Sequence, residues 1–453
     1  MRKKVLKFGG SSVANASQLA KLKNIVMADP GNRYVVVSAP GKRFSSDSKV
    51  TDLLYLCKSQ IDNNIPYEEL FRMICSRYED SVQALELDID MTPYYEEIAA
   101  VLAAGSKAAA EGGADAANRV GCTADYVASR GEYLSAILTA AYLGYDFVDT
   151  AGLVLFDAKG RLLTEETYAA LAGELARHEK AVIPGFYGTI QGTDRIKVFS
   201  RGGSDVTGSV VARAINADIY ENWTDVSGML MADPRIVPNP KPIDRISYLE
   251  LRELSYMGAT VLHEDAVFPA READIPINIR NTNVPADPGT VIDNNYNGED
   301  GKVISGIAGS RDFTVIAVHK NMMNKELGFV RKALQILEDY EVNFDHIPTG
   351  IDTLSVVIET KEIEGKLDDI VWEFRKQLKA DEIKVIMNIS LIAVVGKGMS
   401  GRIGTSARIL TALAKAGINV RMINQGSSEI NVIIAVETPD FENAVRVIYN
   451  EFA

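Results

Sequence analysis

The first strand and turn of the chain are predicted in Val5-Leu6-Lys7-Phe8-Gly9-Gly10-Ser11-Ser12-Val13. An apolar strand with one lysine runs into two glycines and two serines, and a helix is predicted to start near Asn15. Glycines let the backbone pass close to a bulky anion, and free N–H groups at a helix start attract negative charge. The pattern predicts a phosphate-binding turn with the Lys7 ammonium above it; a β-turn-α corner with a solvated lysine is the alternative. Because the lysine precedes the glycines, the stretch is not a P-loop.

The composition limits the classes of function that the chain can serve. The 453 residues carry a net charge of −13, which argues against a general nucleic-acid binder or a protein bound to an anionic membrane. Three cysteines without metal-ligand spacing predict reduced thiols, and four widely separated histidines argue against a histidine-built metal site. No apolar run reaches the roughly 18 residues of a membrane span. We therefore expect a cytoplasmic protein without nucleic-acid or membrane partners.

Strand and helix signals alternate along the first two thirds of the chain. Tyr34–Ser38 is a continuous apolar run of the kind found in buried parallel strands, and Thr51 begins an apolar helix. Residues 66–140 read as mostly helical, and the alternation resumes from 146 to about 291. This pattern predicts an α/β sandwich with a mainly parallel sheet. Proline, glycine, asparagine and aspartate concentrate in residues 285–302, which predicts a linker.

Beyond residue 302 the sequence repeats itself after 76 residues without a gap, so that Ile316-Ala317-Val318 recurs as Ile392-Ala393-Val394. Each copy reads strand, loop, helix, strand, turn, strand, helix, which predicts two βαββαβ ferredoxin-like modules. The elements predicted in the second copy are strand Leu391–Val395, helix Ser406–Lys415, strands Ile418–Ile423 and Ile430–Val436, and a helix from Pro439 to about Glu451. The residues alone do not decide between an amino-acid-binding pair and a duplicated dimerisation domain.

A second glycine-rich corner follows an apolar strand in the stretch Phe199-Ser200-Arg201-Gly202-Gly203-Ser204-Asp205. Arg201 can hold a carboxylate or a phosphate through two parallel hydrogen bonds, and the glycines again leave N–H groups free at a helix start. Asp205 could bind magnesium, orient Lys7 or merely cap its helix. Two charged glycine corners in one α/β domain favour a joint site for a phosphate and a carboxylate.

Two further motifs are less distinctive on their residues alone. Glu132, in Ser129-Arg130-Gly131-Glu132, lies among small and apolar residues near the start of a predicted helix. A carboxylate at that place is either a ligand for an amine or only a partner of the helix dipole. The segments Trp223–Gly228 and Ala232–Arg235 read as a strand end followed by two turns.

Together these motifs resemble those of the aspartate kinases in the amino-acid kinase superfamily. The matching strings are K-F-G-G-S-S-V-A at the N-terminus, S-x-G-E at Ser129, R-G-G-S-D at Arg201 and W-T-D-V-x-G…D-P-R from Trp223. The repeated tail resembles tandem ACT domains. The resemblance implies a three-layer amino-acid kinase (carbamate kinase-like) sandwich over residues 1–295, with an N-lobe aspartate site and a C-lobe ATP site. It also implies ACT-like βαββαβ domains over residues 303–385 and 386–453.

The resemblance implies roles for individual residues. Lys7 and Asp205 are the catalytic pair, with the lysine contacting the transferring phosphoryl group. The implied aspartate-binding residues are Ser38, Thr51, Glu132, Arg201, Gly202 and Ser204. The implied nucleotide-binding residues are Lys7, Gly9, Gly10, Ser11, Thr224, Asp225, Leu230 and Arg235. The implied effector-binding residues are Met323, Gly328, Phe329, Asp345 and Thr349, with lysine as the leading effector and threonine as the second.

One segment departs from the family pattern. Family members commonly carry G-A-K-V-L-H-P after the nucleotide segment, whereas this chain has Thr260 at the lysine position and Glu264 at the proline position. One cationic contact to ATP is therefore in doubt, and Arg235 or Lys241 could compensate for it.

The activity implied by the resemblance is ATP-dependent phosphorylation of the L-aspartate β-carboxylate to 4-phospho-L-aspartate, with Mg²⁺. This reaction is the family's first step toward lysine, threonine and methionine. We expect no metal site built from protein side chains alone, and a homodimer or homotetramer formed through the ACT-like domains. Two alternatives remain open: a kinase of another small acid such as glutamate, and a catalytically weakened amino-acid sensor.

Overall fold

The structure, a computed structural model, describes residues 3–200, 202–259, 262, 264–298 and 301–453. Its helices are α1 (Ala16–Met27), α2 (Val50–Asp62), α3 (Glu68–Ala84), α4 (Thr92–Arg119), α5 (Ala124–Leu143), α6 (Thr164–Leu175), α7 (Gly203–Ala214), α8 (Tyr248–Tyr256), α9 (Glu264–Glu272), α10 (Phe329–Asp339), α11 (Leu367–Leu378), α12 (Thr405–Lys415) and α13 (Phe441–Phe452). Its strands are β1 (Lys4–Phe8), β2 (Asn32–Val37), β3 (Asp146–Phe147), β4 (Leu155–Phe156), β5 (Ala181–Pro184), β6 (Tyr187–Ile190), β7 (Ile196–Val198), β8 (Ile219–Thr224), β9 (Met229–Leu230), β10 (Pro242–Ile243), β11 (Arg245–Ile246), β12 (Ile277–Asn281), β13 (Thr290–Ile292), β14 (Gly306–His319), β15 (Thr353–Glu359), β16 (Glu382–Val395), β17 (Met422–Asn424) and β18 (Asn431–Glu437).

The chain divides into two compact units. The first unit contains Met1–Met229, Pro242–Tyr248 and Val261–Tyr296; the second contains Leu230–Lys241, Leu249–Thr260 and Asn297–Ala453. The end of the catalytic domain at residue 295 remains a prediction. Two short segments that precede it in the sequence group with the C-terminal part of the chain.

The first unit is built on an eight-stranded sheet in the order β11-β13-β12-β8-β1-β2-β5-β3. The strands from β12 to β3 in this order run parallel, as the strand–helix alternation predicts, and β13 runs antiparallel to β12. Strand β1 is in the middle of the sheet, and its residues from Val5 to Phe8 are buried. Lys7 is therefore held by a strand with neighbours on both sides.

Helices cover both faces of this sheet, which confirms the predicted sandwich. Because side chains alternate along a strand, Leu6 and Phe8 point to one face and Lys7 to the other. Leu6 and Phe8 belong to the hydrophobic core that includes residues of α1, α2 and α5. Lys7 instead contacts Asp205 of α7, which packs on β1, β2 and β8. The sheet thus separates a large apolar core from the face that carries these charges.

The predicted linker over residues 285–302 is wrong for its middle part. Thr290–Ile292 forms β13, and both Thr290 and Ile292 are fully buried. Gly289 has a φ of 74°, and a Cβ there would lie 2.0 Å from the Ile279 carbonyl oxygen. A side chain at this position would collide with the sheet, so the glycine belongs to a tight entry into a strand.

The second unit contains a five-stranded antiparallel sheet in the order β15-β14-β16-β18-β17. Two modules of ferredoxin-like strand order share this sheet. In the first module, residues 313–319 pair with β15 on one side and with residues 382–389 on the other. In the second module, residues 391–395 pair with β18 on one side and with Gly306–Ser310 on the other.

This sharing corrects the prediction of two modules that follow one another along the chain. The fourth strand of the second module is Gly306–Ser310, which precedes the whole first module in sequence. Strand β16 runs through the predicted boundary between residues 385 and 386 without interruption. A bulge between Ser310 and Phe313 marks the place where β14 passes from one module to the other.

The second strand of each module is shorter than the repeat predicts. In the first module it is reduced to isolated bridges of His346 with Val357 and of Thr349 with Leu354. Pro348 lies between the two bridges and has no N–H to donate to a ladder. In the second module β17 spans only Met422–Asn424, whereas the predicted strand is Ile418–Ile423.

The described residues include no helix that is both long enough and apolar enough to cross a membrane. The cysteines Cys57, Cys75 and Cys122 are free thiols, as their spacing predicts. Burial raises the pKa of all three well above the ordinary value, which keeps them protonated and unreactive at neutral pH.

Candidate active site

The turn after β1 brings the Lys7 ammonium next to the glycines, as the sequence predicts. Residues Gly10–Val13 form a short 3₁₀ turn, and a Cβ on Gly9 would lie 3.5 Å from Lys7 Nζ. The Gly9 N–H donates to the Trp223 carbonyl at 3.0 Å, so it is already used by the sheet. The contact of this turn with a phosphate remains a prediction, and it depends on the N–H groups that follow Gly9.

Lys7 of β1 and Asp205 of α7 form an ion pair. Lys7 is 6% exposed, and its Nζ lies 2.5 Å from Asp205 Oδ1. Asp205 is in the first turn of α7, but the cap position belongs to Gly202, whose φ of 56° suits a glycine. Of the three roles open to Asp205, this geometry favours orienting the lysine.

One polar residue at this corner escaped the sequence analysis. Asn222 is 3% exposed on β8, in register with Lys7, and its Nδ2 donates to the same Asp205 Oδ1 at 2.8 Å. The Tyr220 hydroxyl donates to the Asp205 carbonyl at 3.1 Å. An amide inside a buried parallel strand is the signal that could have identified Asn222.

Glu132 has a quite different environment. It lies more than two turns into α5, so the predicted position near a helix start, and the helix-dipole explanation with it, is wrong. Glu132 is 5% exposed, and no partner of its Oε2 is found within the described part of the chain. Burial raises the pKa of Glu132 to about 8, although the Ala39 N–H and the charges of Arg130 and Lys7 act in the opposite direction.

Arg130, next to Glu132 in sequence, is held by aromatic rings and was also missed. Its guanidinium carbon lies 4.7, 4.5 and 5.2 Å from the ring centroids of Tyr126, Tyr133 and Tyr187. The Ser129 hydroxyl accepts a hydrogen bond from the same guanidinium at 2.9 Å. These contacts fix a positive charge near the buried carboxyl.

The loop after β2 lies against the glycine turn. The Gly41 N–H donates to the Gly10 carbonyl at 2.8 Å, and the buried Arg77 of α3 donates to the Gly41 carbonyl at 2.7 Å. Ser38 at the start of this loop and Thr51 at the start of α2 are both partly exposed. Their predicted contacts with an aspartate side chain are not tested by this geometry.

The second glycine corner is only partly described. Arg201 lies outside the described residues. Ser204 is buried against Gly185, since a Cβ on that glycine would lie 2.6 Å from Ser204 Cβ. Gly202 caps α7 and Ser204 lies in its first turn, and their contact with aspartate remains a prediction.

The predicted nucleotide-binding residues are divided between the two units. Thr224 ends β8 in the first unit and Asp225 follows it, and the Thr224 hydroxyl donates to the Asp225 carboxylate at 3.2 Å. Leu230 and Arg235 belong to the second unit, where the exposed Arg235 guanidinium pairs with Asp233 at 2.6 Å. That ion pair offsets part of the charge expected to meet a phosphate. Thr260, the position of the missing family lysine, lies outside the described residues.

Two of the predicted effector-binding residues have side chains in the core of the first module. Met323 and Phe329 are 6% and 2% exposed and pack among the core residues between the sheet, α10 and α11. Only their backbone groups are candidates for an effector contact. Gly328 caps α10 with a φ of 77°, and Thr349 is exposed.

Asp345 has a side-chain partner and does not simply face solvent. Its Oδ1 accepts a hydrogen bond from the Tyr256 hydroxyl of α8 at 2.8 Å, within the second unit. Burial raises the pKa of Asp345, and the Tyr256 hydrogen bond and the nearby His346 lower it. The tyrosine partner was not predicted, because it lies far from Asp345 in sequence.

A cavity of about 380 Å³ lies between the end of α4, the start of α5 and the turn before β7. It is lined by Arg119, Tyr126 and Arg195 among others, and none of the predicted site residues lines it. Among the described residues, no group of three or more His, Cys, Asp or Glu side chains could hold a metal ion.

Comparisons with known proteins match both parts of the chain. Residues 2–281 match the family model described as the amino acid kinase family, and residues 392–452 match a model described as an ACT domain. The chain is 38% identical over 458 residues to aspartokinase 3 of Bacillus subtilis (strain 168), which covers 99% of this chain and 98% of that protein.

Solved structures of similar proteins give the same picture. The crystal structure of Clostridium acetobutylicum aspartate kinase, described as an important allosteric enzyme, matches with a TM-score of 0.88 and 48% identity, covering 100% of both chains. Escherichia coli aspartokinase III, in complex with aspartate and ADP in its R-state, matches with a TM-score of 0.73 and 25% identity over 99% of both chains.

Proposed function

The chain belongs to the amino acid kinase family and is an aspartate kinase with a C-terminal ACT domain, and on this premise we propose how its residues carry out the reaction. An oxygen of the aspartate β-carboxylate attacks the γ-phosphorus of ATP in line. The bond from that phosphorus to the β,γ-bridging oxygen breaks, and ADP leaves. The products are 4-phospho-L-aspartate and ADP.

The ion pair of Lys7 and Asp205 beside the glycine turn is the observation that carries this proposal. Phosphoryl transfer leaves the protein little covalent work, so positioning and charge stabilisation dominate. An ammonium that a carboxylate already holds in place needs no rearrangement when negative charge develops on the phosphoryl oxygens. We assign that role to Lys7, with the N–H groups of Gly10 and Ser11 as further donors.

We propose that aspartate is held by its two charged α-substituents. Glu132 is assigned to the α-ammonium, because a buried carboxyl with an unsatisfied oxygen is stabilised in its ionised form by an adjacent cation. Arg201 is assigned to the α-carboxylate, which its guanidinium can hold through two hydrogen bonds. Ser38, Thr51, Gly202 and Ser204 complete the proposed aspartate site.

ATP is the proposed co-substrate, with Thr224, Asp225, Leu230 and Arg235 as its remaining contacts, and Mg²⁺ is expected to arrive with it. Mg²⁺ usually keeps several waters and binds through one or two carboxylates together with substrate phosphates. The residues fit this mode, because Lys7 and Asn222 both reach Asp205 at Oδ1, and the carboxylate has a second oxygen that would hold the ion. The ion would supply positive charge to the phosphate oxygens.

The substrate is tested by trapping the product. Purified enzyme is incubated with ATP, Mg²⁺ and hydroxylamine, which converts an acyl phosphate into a coloured hydroxamate, while ADP release is followed in parallel. We expect hydroxamate with L-aspartate and none above background with L-glutamate or N-acetyl-L-glutamate. Equal turnover of glutamate would contradict the assignment of aspartate as the substrate.

We propose further that lysine binds at Asp345 and inhibits the enzyme, with threonine as the second candidate. The Tyr256 hydroxyl already donates to Asp345, so the second amine of a lysine ligand would meet a carboxylate that accepts hydrogen bonds. Binding can inhibit only if lysine has unequal affinity for active and inactive states, typically by about 1–3 kcal/mol.

Asp345→Ala should remove lysine inhibition while leaving kcat and both KM values unchanged. The matched control is Arg421→Ala, at the equivalent position of the second module, which should stay sensitive to lysine. Unchanged inhibition of Asp345→Ala, or a wild type insensitive to both amino acids, would leave the tail as an assembly domain only.

Three further assignments rest on the family resemblance. We propose a homodimer or homotetramer formed through the ACT-like domains, and a cytoplasmic location in keeping with the three free thiols. The domain limits 1–295, 303–385 and 386–453 stay proposals. Strands β14 and β16 each contribute to both ACT-like modules, so the limit between these modules does not separate their strands.

A further inference from the structure

Asn222 shares one carboxylate oxygen with Lys7. The two residues are in register on the neighbouring parallel strands β8 and β1, and both side chains reach Asp205 Oδ1, at 2.8 Å from Asn222 Nδ2 and 2.5 Å from Lys7 Nζ. A carboxylate only accepts hydrogen bonds, so the amide must present its NH₂ group to it. Asn222 therefore faces the ion pair as a donor.

The three residues differ in how firmly they are held. Asn222 is 3% exposed in a strand with β1 on one side and β12 on the other. The Asp205 side chain is 21% exposed in the first turn of a helix. Rotation about the terminal torsion of an aspartate is broad and nearly two-fold, and an ammonium gives its partner little direction. The ion pair with Lys7 alone would thus leave the carboxylate free to turn.

We propose that Asn222 is a positioning residue for the phosphoryl transfer. Its amide fixes the plane of the Asp205 carboxylate, and Asp205 in turn fixes the Lys7 ammonium above the glycine turn. Asn222 acts through Asp205 and touches neither substrate. This inference rests on the proposed roles of Lys7 and Asp205.

The first test removes the donor while keeping the volume. Asn222→Leu should lower kcat by roughly ten- to a hundredfold, the value of one hydrogen bond to a charged group, and leave KM for ATP and for aspartate within about twofold. The matched control is Asn32→Leu, a buried amide on β2 that donates to the Ile25 and Val26 carbonyls at 3.1 and 3.3 Å. It should lower stability without changing kcat.

A second test asks for rescue by a proton. In Asn222→Asp a carboxylate faces Asp205, and two carboxylates at this distance share a proton with a raised pKa. The protonated acid can donate as the amide does. The kcat ratio of variant to wild type should rise as pH falls from about 9 to about 6. A thermal unfolding curve at each pH separates this rise from a change in folding.

The outcomes separate the role of Asn222 from the proposed roles of Lys7 and Asp205. The role of Asn222 alone is overturned if Lys7→Ala is inactive while Asn222→Leu keeps the wild-type kcat. A kcat ratio of Asn222→Asp to wild type that does not change with pH overturns it as well. An active Lys7→Ala overturns the proposed mechanism itself. Should Asn222→Leu not fold, Asn222→Ser and Asn222→Ala replace it, because they differ only by a hydroxyl donor. Serine should then give the higher kcat, and equal values would sink the proposal.

Discussion

Two carboxyl groups of the first unit, those of Asp205 and Glu132, have opposite environments. At the phosphoryl corner Asp205 already has a cation and an amide donor on one oxygen. In the proposed aspartate pocket Glu132 is buried with an oxygen that has no partner in the described part of the chain, and its pKa is raised to about 8. The first region is complete before a ligand arrives, which suits a group whose partner gains charge during the reaction. The second would be completed by the proposed ligand, whose ammonium brings the missing charge.

The largest loss of activity is expected when the Lys7 ammonium is removed from its pair with Asp205. Lys7→Ala should lower kcat by about 10²–10³, the loss found when a comparable charge-stabilising donor is removed, while KM for aspartate changes little. Steady-state kinetics with each substrate varied in turn will measure this. A variant that keeps more than half of the wild-type kcat would remove Lys7 from the mechanism.

A smaller effect, on KM for aspartate and not on kcat, is expected when Glu132 is changed. The α-ammonium is present equally in ground and transition states, so Glu132→Gln should raise KM for aspartate about 10- to 100-fold and leave KM for ATP nearly unchanged. Arg201→Ala should show the same pattern through the α-carboxylate. If Glu132→Gln raised KM for ATP alone, the two substrate pockets would have to be exchanged.

The pH dependence of the ligand-free protein sharpens the contrast further. The folded-state pKa of Glu132, about 8, lies above the unfolded value of about 4.3, so the folded state binds the proton more tightly. The stability that this proton contributes is complete below about pH 4 and is lost as pH rises through about 8. Urea unfolding of wild type should therefore lose on the order of a few kcal/mol relative to Glu132→Gln between about pH 5 and pH 9.

Aspartate binding should follow the opposite trend with pH. KM for aspartate should fall as pH rises through about 8, because the ammonium needs an ionised Glu132. Glu132→Gln serves as the control and should lack this limb. A wild-type KM that is flat between pH 7 and pH 9 would mean that Glu132 is not the ammonium partner.

The smallest expected effect concerns the helix start at the phosphoryl corner. Asn15 caps α1 by accepting a hydrogen bond from the Gln18 N–H at 3.0 Å, so Asn15→Ala should cost about 1 kcal/mol of unfolding free energy and leave kcat unchanged. Denaturant titration and steady-state kinetics will separate the two. A tenfold loss of kcat would show that this cap shapes the turn that receives the phosphate.

The sequence predicted the strands, turns and helices that depend on residues close together in the chain. Strand β1, the glycine turn and α1 follow from one short stretch, and the helical region from 66 to 140 follows from local periodicity. Asn222 and Tyr256 were missed because sheet register and helix docking bring them to Asp205 and Asp345. Those contacts join residues that are far apart in the chain.

The repeat shows the same limit. Aligning the two copies with each other identifies them and their helices. The alignment does not show which strands pair in the sheet. The fourth strand of the second module comes from before the first copy, and no local pattern marks Gly306–Ser310 as its member. The entry into β13 was read as linker because a tight turn and a linker use the same residues.

The sharing of β14 and β16 sets an order of events during synthesis. Gly306–Ser310 leaves the ribosome some 80 residues before its partner Leu391–Val395. At about 5–20 residues per second, this strand waits roughly 4–16 s with one edge open. An unpaired edge is a template for pairing with other chains. The nascent tail is therefore most exposed to misassembly while the first module is already folding, and the enzyme is a candidate for chaperone protection in that interval.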